Sequence, residues 1–224
     1  VVGVPSAPLP LFPLGTVLLP GAPLPLRIFE PRYRQLIADL LELPAGSRGF
    51  GVVAIREGRE VGVDGVRATY DVGCLALVTN VQDSDDGTIE VSTVGTTRFR
   101  VTSIDRDRPY LCAAVEWLPE EIGEPGGLAT VVGTRYAEYR EAMGALRGGS
   151  LPTPELPTDP RLLSYLVAAT VMAELGDRQA FLAEPTAAGR LGLLARWLRL
   201  ETTLLRALSA VPAIGPMTAP FSVN

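Results

Sequence analysis

From Leu9 to Phe29 apolar residues alternate with proline and glycine, and then the spacing becomes helical without a break. Residues 9–14, 17–19 and 24–29 read as short strands or extended runs, with Gly15 and Pro20-Gly21 as turns. Tyr33, Leu36, Ile37, Leu40 and Leu41 fall at i, i+3, i+4, i+7 and i+8, so they share one helix face. Arg32, Arg34, Gln35, Asp39 and Glu42 take the other face. Pro31 suits the first helical position, where an N–H would be unpaired anyway. The helix should stop before Pro44 and Gly46.

Strand-length runs follow. Residues 50–55 and 71–81 are apolar on both alternating sets, as expected of a strand buried on both faces or curled into a small barrel. Asp83 to Gly87 reads as a hairpin turn ending in Asp-Gly. Residues 88–94 and 98–104 carry β-branched residues, but the inward set changes parity at Gly95, which predicts a bulge or bend. Residues 110–118 read as the last strand. Beyond Pro119 the pattern becomes helical. A polar linker at 120–127 leads to helices at 128–146, 161–175, 178–182 and 187–208, with a proline-rich loop at 148–160. Asp159-Pro160 and Thr186 are the expected start signals of two of these helices. The 161–175 helix is apolar almost all round and should lie buried in a bundle. Residues 1–8 read as a loose leader and 211–224 as an irregular tail. The expected fold class is α+β: a β-rich part over 9–119 with one early helix, then a helical bundle over 128–210.

Composition narrows the chemistry. The 224 residues carry a net charge of −5, which argues against a general nucleic-acid binder. There is no histidine, and all 20 cationic side chains are arginine. That removes Ser-His and Cys-His couples, imidazole metal ligands, the P-loop lysine and the Ser-Lys couple. Cys74 and Cys112 sit in apolar runs, read as buried thiols rather than a disulfide framework, and have no His or Lys beside them to activate either thiol. No signal peptide is visible, and the longest apolar stretch, 162–175, is too short and too polar for a bilayer. A cytoplasmic protein without membrane contact is expected.

The order of several motifs adds a resemblance. Phe12-Pro13, the Pro20-Gly21 turn, Phe29-Glu30-Pro31-Arg32-Tyr33, Gly73, Asp86-Gly87 and Gly95 followed by Arg98-Phe99-Arg100-Val101 resemble the Lon substrate-binding (Lon N-terminal) domain family. Gln179-Ala180-Phe181-Leu182, Arg190-Leu191 and Leu198 to Glu201 resemble that family's closing helices. The likeness covers residues 9–208. It implies a small PUA-like β-barrel followed by a helical bundle, in a stand-alone bacterial version without ATPase or protease modules. The implied function is non-enzymatic recognition of unfolded, hydrophobic segments or of a partner protein, with no cofactor. The alternative is a small-molecule-binding regulatory domain with a PUA-like pocket. Homo-oligomerisation stays open.

Candidate contact residues are apolar side chains in extended or proline-rich places, namely Leu24, Leu26, Phe29, Leu151, Leu156 and Phe221, together with Arg32. Glu30 and Arg32 are expected mainly to lock the strand-to-helix corner. Arg98 and Arg100 alternate with Phe99 and Val101, which predicts a solvated outer face or a role at the seam between the two parts. Asp83, Asp85 and Asp86 miss the calcium-loop spacing and read as a solvated turn. Glu120-Glu121 lie in an apparent linker, where carboxylates would be poorly held.

Overall fold

The computed structural model of the chain describes residues 8–60, 66–149, 151–152 and 154–209. The leader to residue 7 and the tail from 210, Phe221 included, lie outside the described residues. The strands are β1 (Leu9–Leu14), β2 (Pro23–Ile28), β3 (Gly49–Gly58), β4 (Val66–Thr69), β5 (Val72–Asp83), β6 (Ile89–Asp105) and β7 (Cys112–Trp117). The helices are α1 (Pro31–Leu41), α2 (Leu128–Leu146), α3 (Pro160–Thr170), α4 (Leu175–Ala183) and α5 (Ala187–Ser209).

Strand order β1-β7-β6-β5-β3 is closed by a parallel pairing of β3 with β1, which makes a five-stranded barrel; the other pairings are antiparallel. Closure explains why both alternating sets of these strands are apolar. Leu9, Leu11, Val53, Leu75, Phe99 and Ala113 come from all five strands and form one buried cluster, the barrel interior. The opposite set, including Phe12, Phe50, Val52, Cys74 and Ala76, faces outward beneath α1 and the helices. Phe99 fills so much of the interior that a Cβ on Gly73 would lie 2.5 Å from its ring, and one on Gly51 2.6 Å. Glycine is needed at both places for space, not for backbone freedom.

α1 covers one outer face with Tyr33, Leu36, Ile37 and Leu40, and Tyr33 stacks on Phe12 at 4.0 Å. Residues 17–19, expected as a strand, have no ladder of their own; they are a buried extended crossing. The backbone of Leu19 passes over Gly95 so closely that a Cβ there would sit 2.3 Å from the Leu19 carbonyl oxygen. The expected irregularity at Gly95 is present. β6 continues through it as one strand, with a register shift between the pairs Ala76–Gly95 and Cys74–Arg98. β4 carries no strong strand pattern, and sequence reasoning missed it.

In the bundle, α2 and α3 pack on α5, and α4 contacts both α5 and β5. The Gln179 amide donates to the Val72 carbonyl at 2.9 Å, tying α4 to the barrel. α3 is shorter than its pattern predicts. It ends at Thr170, with Val171 extended, and residue 175 opens α4 instead of closing α3. One contact at this end is tertiary and one local: the Met172 N–H donates to the Tyr139 hydroxyl of α2 at 3.2 Å, and the Thr170 hydroxyl folds back on the Leu166 carbonyl of its own helix at 2.8 Å. Among the described residues no helix is long and apolar enough to cross a membrane.

Candidate functional site

Two features meet where the barrel and bundle join. The first is an ionic knot. Arg98 leaves β6 on the side opposite Phe99 and is 2% exposed, so the expected solvated outer face is not where it lies; the seam is. Burial follows because the strands around it carry α4 and α5 against that side. Its guanidinium meets Glu120 at 3.1 Å and donates to the carbonyls of Pro119, Leu182, Glu184 and Pro185. Arg190, on the first turn of α5, is 0% exposed and reaches the other Glu120 oxygen at 3.2 Å. It also donates to the Phe181 and Glu184 carbonyls and to the Ser164 hydroxyl. Two arginines thus share one carboxylate, and the carbonyls at the electronegative C-terminal end of α4 satisfy the remaining donors.

Glu120 is therefore firmly held, contrary to the expectation for a linker carboxylate. The residues after it are held as well: Ala187 and Ala188 donate their N–H groups to the Glu121 and Ile122 carbonyls. Thr186 caps α5 as expected, its hydroxyl accepting the Gly189 N–H at 3.0 Å. Tyr165 of α3 completes the knot. It donates its hydroxyl to Glu120 at 2.5 Å, and the Arg190 guanidinium lies 3.7 Å from its ring centroid. Burial pushes the Tyr165 hydroxyl well above its ordinary value, so it stays a donor. Burial also lowers Arg190, opposed by the Tyr165 and Glu120 contacts.

The second feature is an apolar cleft directly over this knot, of about 390 Å³. One wall is the turn Pro20, Gly21, Ala22 and Pro23. The other is α3, through Leu162, Tyr165, Leu166, Ala169 and Thr170, with Pro157 at the rim. None of these side chains is charged. Pro20-Gly21 forms the turn because Gly21 takes a φ of 81°. Leu162 is 60% exposed, a large apolar side chain left at the mouth. The two polar side-chain atoms in the lining are already engaged: Tyr165 with Glu120, and Thr170 with Leu166 and with the Tyr136 hydroxyl.

The candidate residues from the sequence are scattered. Leu24 and Leu26 alternate with exposed Pro23, Pro25 and Arg27, and turn half-buried toward the core. Leu151 and Leu156 also pack half-buried against the core. Leu26 and the 57%-exposed Phe29 share a smaller cavity of about 160 Å³ near Glu30 and Tyr33. Arg32 pairs with Glu30 at 3.0 Å and donates to the Glu60 carbonyl. The cleft is lined by neighbours of these residues: the 20–23 turn precedes Leu24, and Pro157 follows Leu156. Leu162 could have been found from its helix: a helix with apolar residues almost all round, packed on one side only, must leave some outside. Asp86 accepts from Thr88 and pairs with Arg27, within the hairpin turn expected there. Both cysteines are free and buried, and burial pushes the Cys74 thiol up to about 12, far from nucleophilic reach at neutral pH.

Comparison with known proteins covers the same extent. The family described as ATP-dependent protease La (LON) substrate-binding domain matches residues 8–199. Lon protease 1 of Herpetosiphon aurantiacus is 30% identical over 210 residues, which is 88% of this chain and 24% of that protein. Lon protease 2 of Myxococcus xanthus is 26% identical over 203 residues, again 24% of its length. The chain thus spans about a quarter of these relatives. A crystal structure of a Lon N-terminal domain protein from Xanthomonas campestris superposes with a TM-score of 0.58 at 28% identity, over 85% of this chain and 98% of that one. The N-terminal domain of a Mycobacterium avium complex Lon protease shares the fold, with a TM-score of 0.58 at 17% identity.

Proposed function

The chain belongs to the LON substrate-binding domain family, and on that premise we propose that it recognises polypeptide, seating apolar segments in the cleft between the 20–23 turn and α3. The observation that carries this reading is the cleft itself: an uncharged trough with Leu162 exposed at its mouth. An extended segment gains there by burying apolar side chains, at about 25 cal/mol for each Å² removed from water. A charged side chain would lose its hydration with no partner to replace it. Phe29, exposed beside Leu26, offers a second apolar contact. Clients are thus unfolded or extended segments, or an apolar stretch of a partner protein.

The role is recognition without catalysis. The chain lacks histidine and lysine, its thiols are buried, and the central carboxylate, Glu120, is occupied by two arginines and a tyrosine. A regulatory small-molecule pocket is the second reading, since about 390 Å³ falls in the size range of such sites. Orientation of a small ligand draws on free polar side chains, however, and the two in the lining, Tyr165 and Thr170, are already bonded, which favours polypeptide.

The test is a titration of labelled peptides by fluorescence anisotropy. A peptide rich in Leu and Phe should bind, and the same peptide with alternate apolar residues changed to Asp should bind at least ~10-fold more weakly, a difference of about 1.4 kcal/mol. Equal affinity for both, or binding of neither, contradicts the reading.

A further inference from the structure

The cleft is short of hydrogen-bond donors, and this decides what kind of backbone can lie in it. Pro20, Pro23 and Pro157 of the lining carry no N–H. The Gly21 N–H donates to the Gly95 carbonyl at 2.8 Å, and the Ala22 N–H to the Leu19 carbonyl at 3.0 Å. On the other wall the N–H groups of Tyr165, Leu166, Ala169 and Thr170 run inside α3, and that of Leu162 bonds the Asp159 carboxylate. A segment entering here finds no N–H for its carbonyls, so it cannot be added as a strand. It has to keep its backbone toward water and seat only side chains, which is how a polyproline II segment lies. Each proline in it also removes an N–H that would otherwise be desolvated. The occupant that fits best is uncharged, apolar and broken by prolines.

The chain carries such a segment. After Arg206 no residue is charged, and residues 211–221 read VPAIGPMTAPF, with prolines at 212, 216 and 220. Its position along the chain suits the distance. α3 and α5 lie side by side in the same direction: Arg190 meets the Ser164 hydroxyl at 2.9 Å, while Trp197 packs on Tyr139, whose hydroxyl takes the Met172 N–H. The Thr170 end of the cleft is therefore level with Trp197, and Ser209 stands about 18 Å further along the helix. Crossing α3 adds about 10 Å sideways, which makes a straight path of roughly 20 Å. Residues 210–216 span that path at about 3.3 Å each. Met217 to Phe221 then advance about 12 Å in polyproline II, the same ~12 Å that separates Leu162 from Thr170 along α3.

We propose that residues 217–221 of this chain occupy the cleft in cis, antiparallel to α3, with Met217 beside Thr170 and Phe221 over the exposed Leu162, and that client segments bind by displacing them. The inference rests on the reading of the cleft as a polypeptide site. Tethering supplies an effective concentration on the order of 1 mM. A tail segment with an intrinsic Kd of about 0.1–1 mM then weakens a competing client roughly 2- to 10-fold.

The test uses the full chain in two measurements. In the first, photoreactive benzoylphenylalanine replaces Phe221, the dilute chain is irradiated, and the adducts are mapped by mass spectrometry. Intramolecular adducts on Leu162, Leu166 or the 20–23 turn are expected. Adducts on Leu200, Leu204 or Leu208, adducts joining two chains, or no adducts at all overturn the proposal. In the second, the labelled Leu- and Phe-rich peptide is titrated into the native chain and into M217D/F221D, with circular dichroism melts to show that both fold. The variant should bind the peptide about 2- to 10-fold more tightly, because charged side chains lose hydration in an uncharged cleft. Equal or weaker binding by the variant overturns the proposal. The two readings fail separately. Peptide bound in the cleft while Phe221 forms adducts elsewhere removes the tail and keeps the client site. Phe221 adducts in the cleft of a chain that binds no peptide, native or variant, keep the tail and remove the client.

Discussion

Glu120 is one carboxylate set between two buried guanidiniums, and its removal would leave Arg98 and Arg190 facing only carbonyls and hydroxyls. Uncompensated buried charge is the costly outcome, so E120A should destabilise the chain by about 3–5 kcal/mol, read from the denaturant midpoint. E120Q keeps the volume and part of the hydrogen bonding and should cost less. Asp159 acts at the surface. Its carboxylate accepts the Arg161 N–H at 2.8 Å and pairs with the Arg161 side chain, which together hold its pKa down to about 2 from an ordinary 3.8. A depressed carboxylate stabilises the fold above its unfolded value and loses that contribution as the pH falls through its folded value. The α3 start should therefore weaken between about pH 4 and pH 2. Melting temperature against pH should fall less steeply over that window in D159A, which starts lower. The Asp159 cap was legible in the sequence because capping is local, whereas Glu120 was not. Its partners stand 22 and 70 residues away, and alternation along β6 placed Arg98 correctly opposite Phe99 without telling what lies on that side.

At the scale of elements, the strands and helices follow local pattern wherever one surface decides them. α1 starts at Pro31 and buries Tyr33, Leu36, Ile37 and Leu40 of its predicted stripe, leaving Leu41 exposed at the end of the helix, and α2 runs from Leu128 to Leu146 as expected. Departures occur where tertiary contacts intervene. α3 stops at Thr170, where Tyr139 takes the next free N–H, residues 17–19 cross over β6 instead of pairing, and β4 forms only as a short addition to β3. Gly95 gave its signal through a parity change. Gly73 gave none, because the reason for it is the Phe99 ring across the barrel. G73A should therefore push against both Phe99 and the Val52 carbonyl, 2.5 Å from the added carbon in each case. A destabilisation of about 1–3 kcal/mol is expected, with G73A/F99L recovering part of it as the ring is removed. Full recovery is not expected, since the backbone contact remains.

Over the whole molecule, the knot and the cleft share one residue. Tyr165 donates to Glu120 beneath and lines the cleft above, so the seam that joins barrel to bundle also sets the shape of the trough. The barrel-then-bundle order was readable from the change of periodicity near Pro119. The cleft was not, because its walls come from a turn near residue 20 and a helix near 165, and no local pattern reports their meeting. Two apolar candidates chosen for proline-rich surroundings, Leu24 and Leu156, each stand one residue from the lining, beside Pro23 and Pro157. If the trough is the contact surface, L162E should weaken binding of an apolar peptide at least ~10-fold and leave the melting temperature within a degree or two, as Leu162 is mostly exposed. The most direct test places a photoreactive apolar side chain at the centre of a binding peptide and maps its cross-links by mass spectrometry. The account predicts adducts on the 20–23 turn and on Leu162, Leu166 or Ala169, lost in L162E. Adducts concentrated elsewhere, with those residues unmodified, would contradict it.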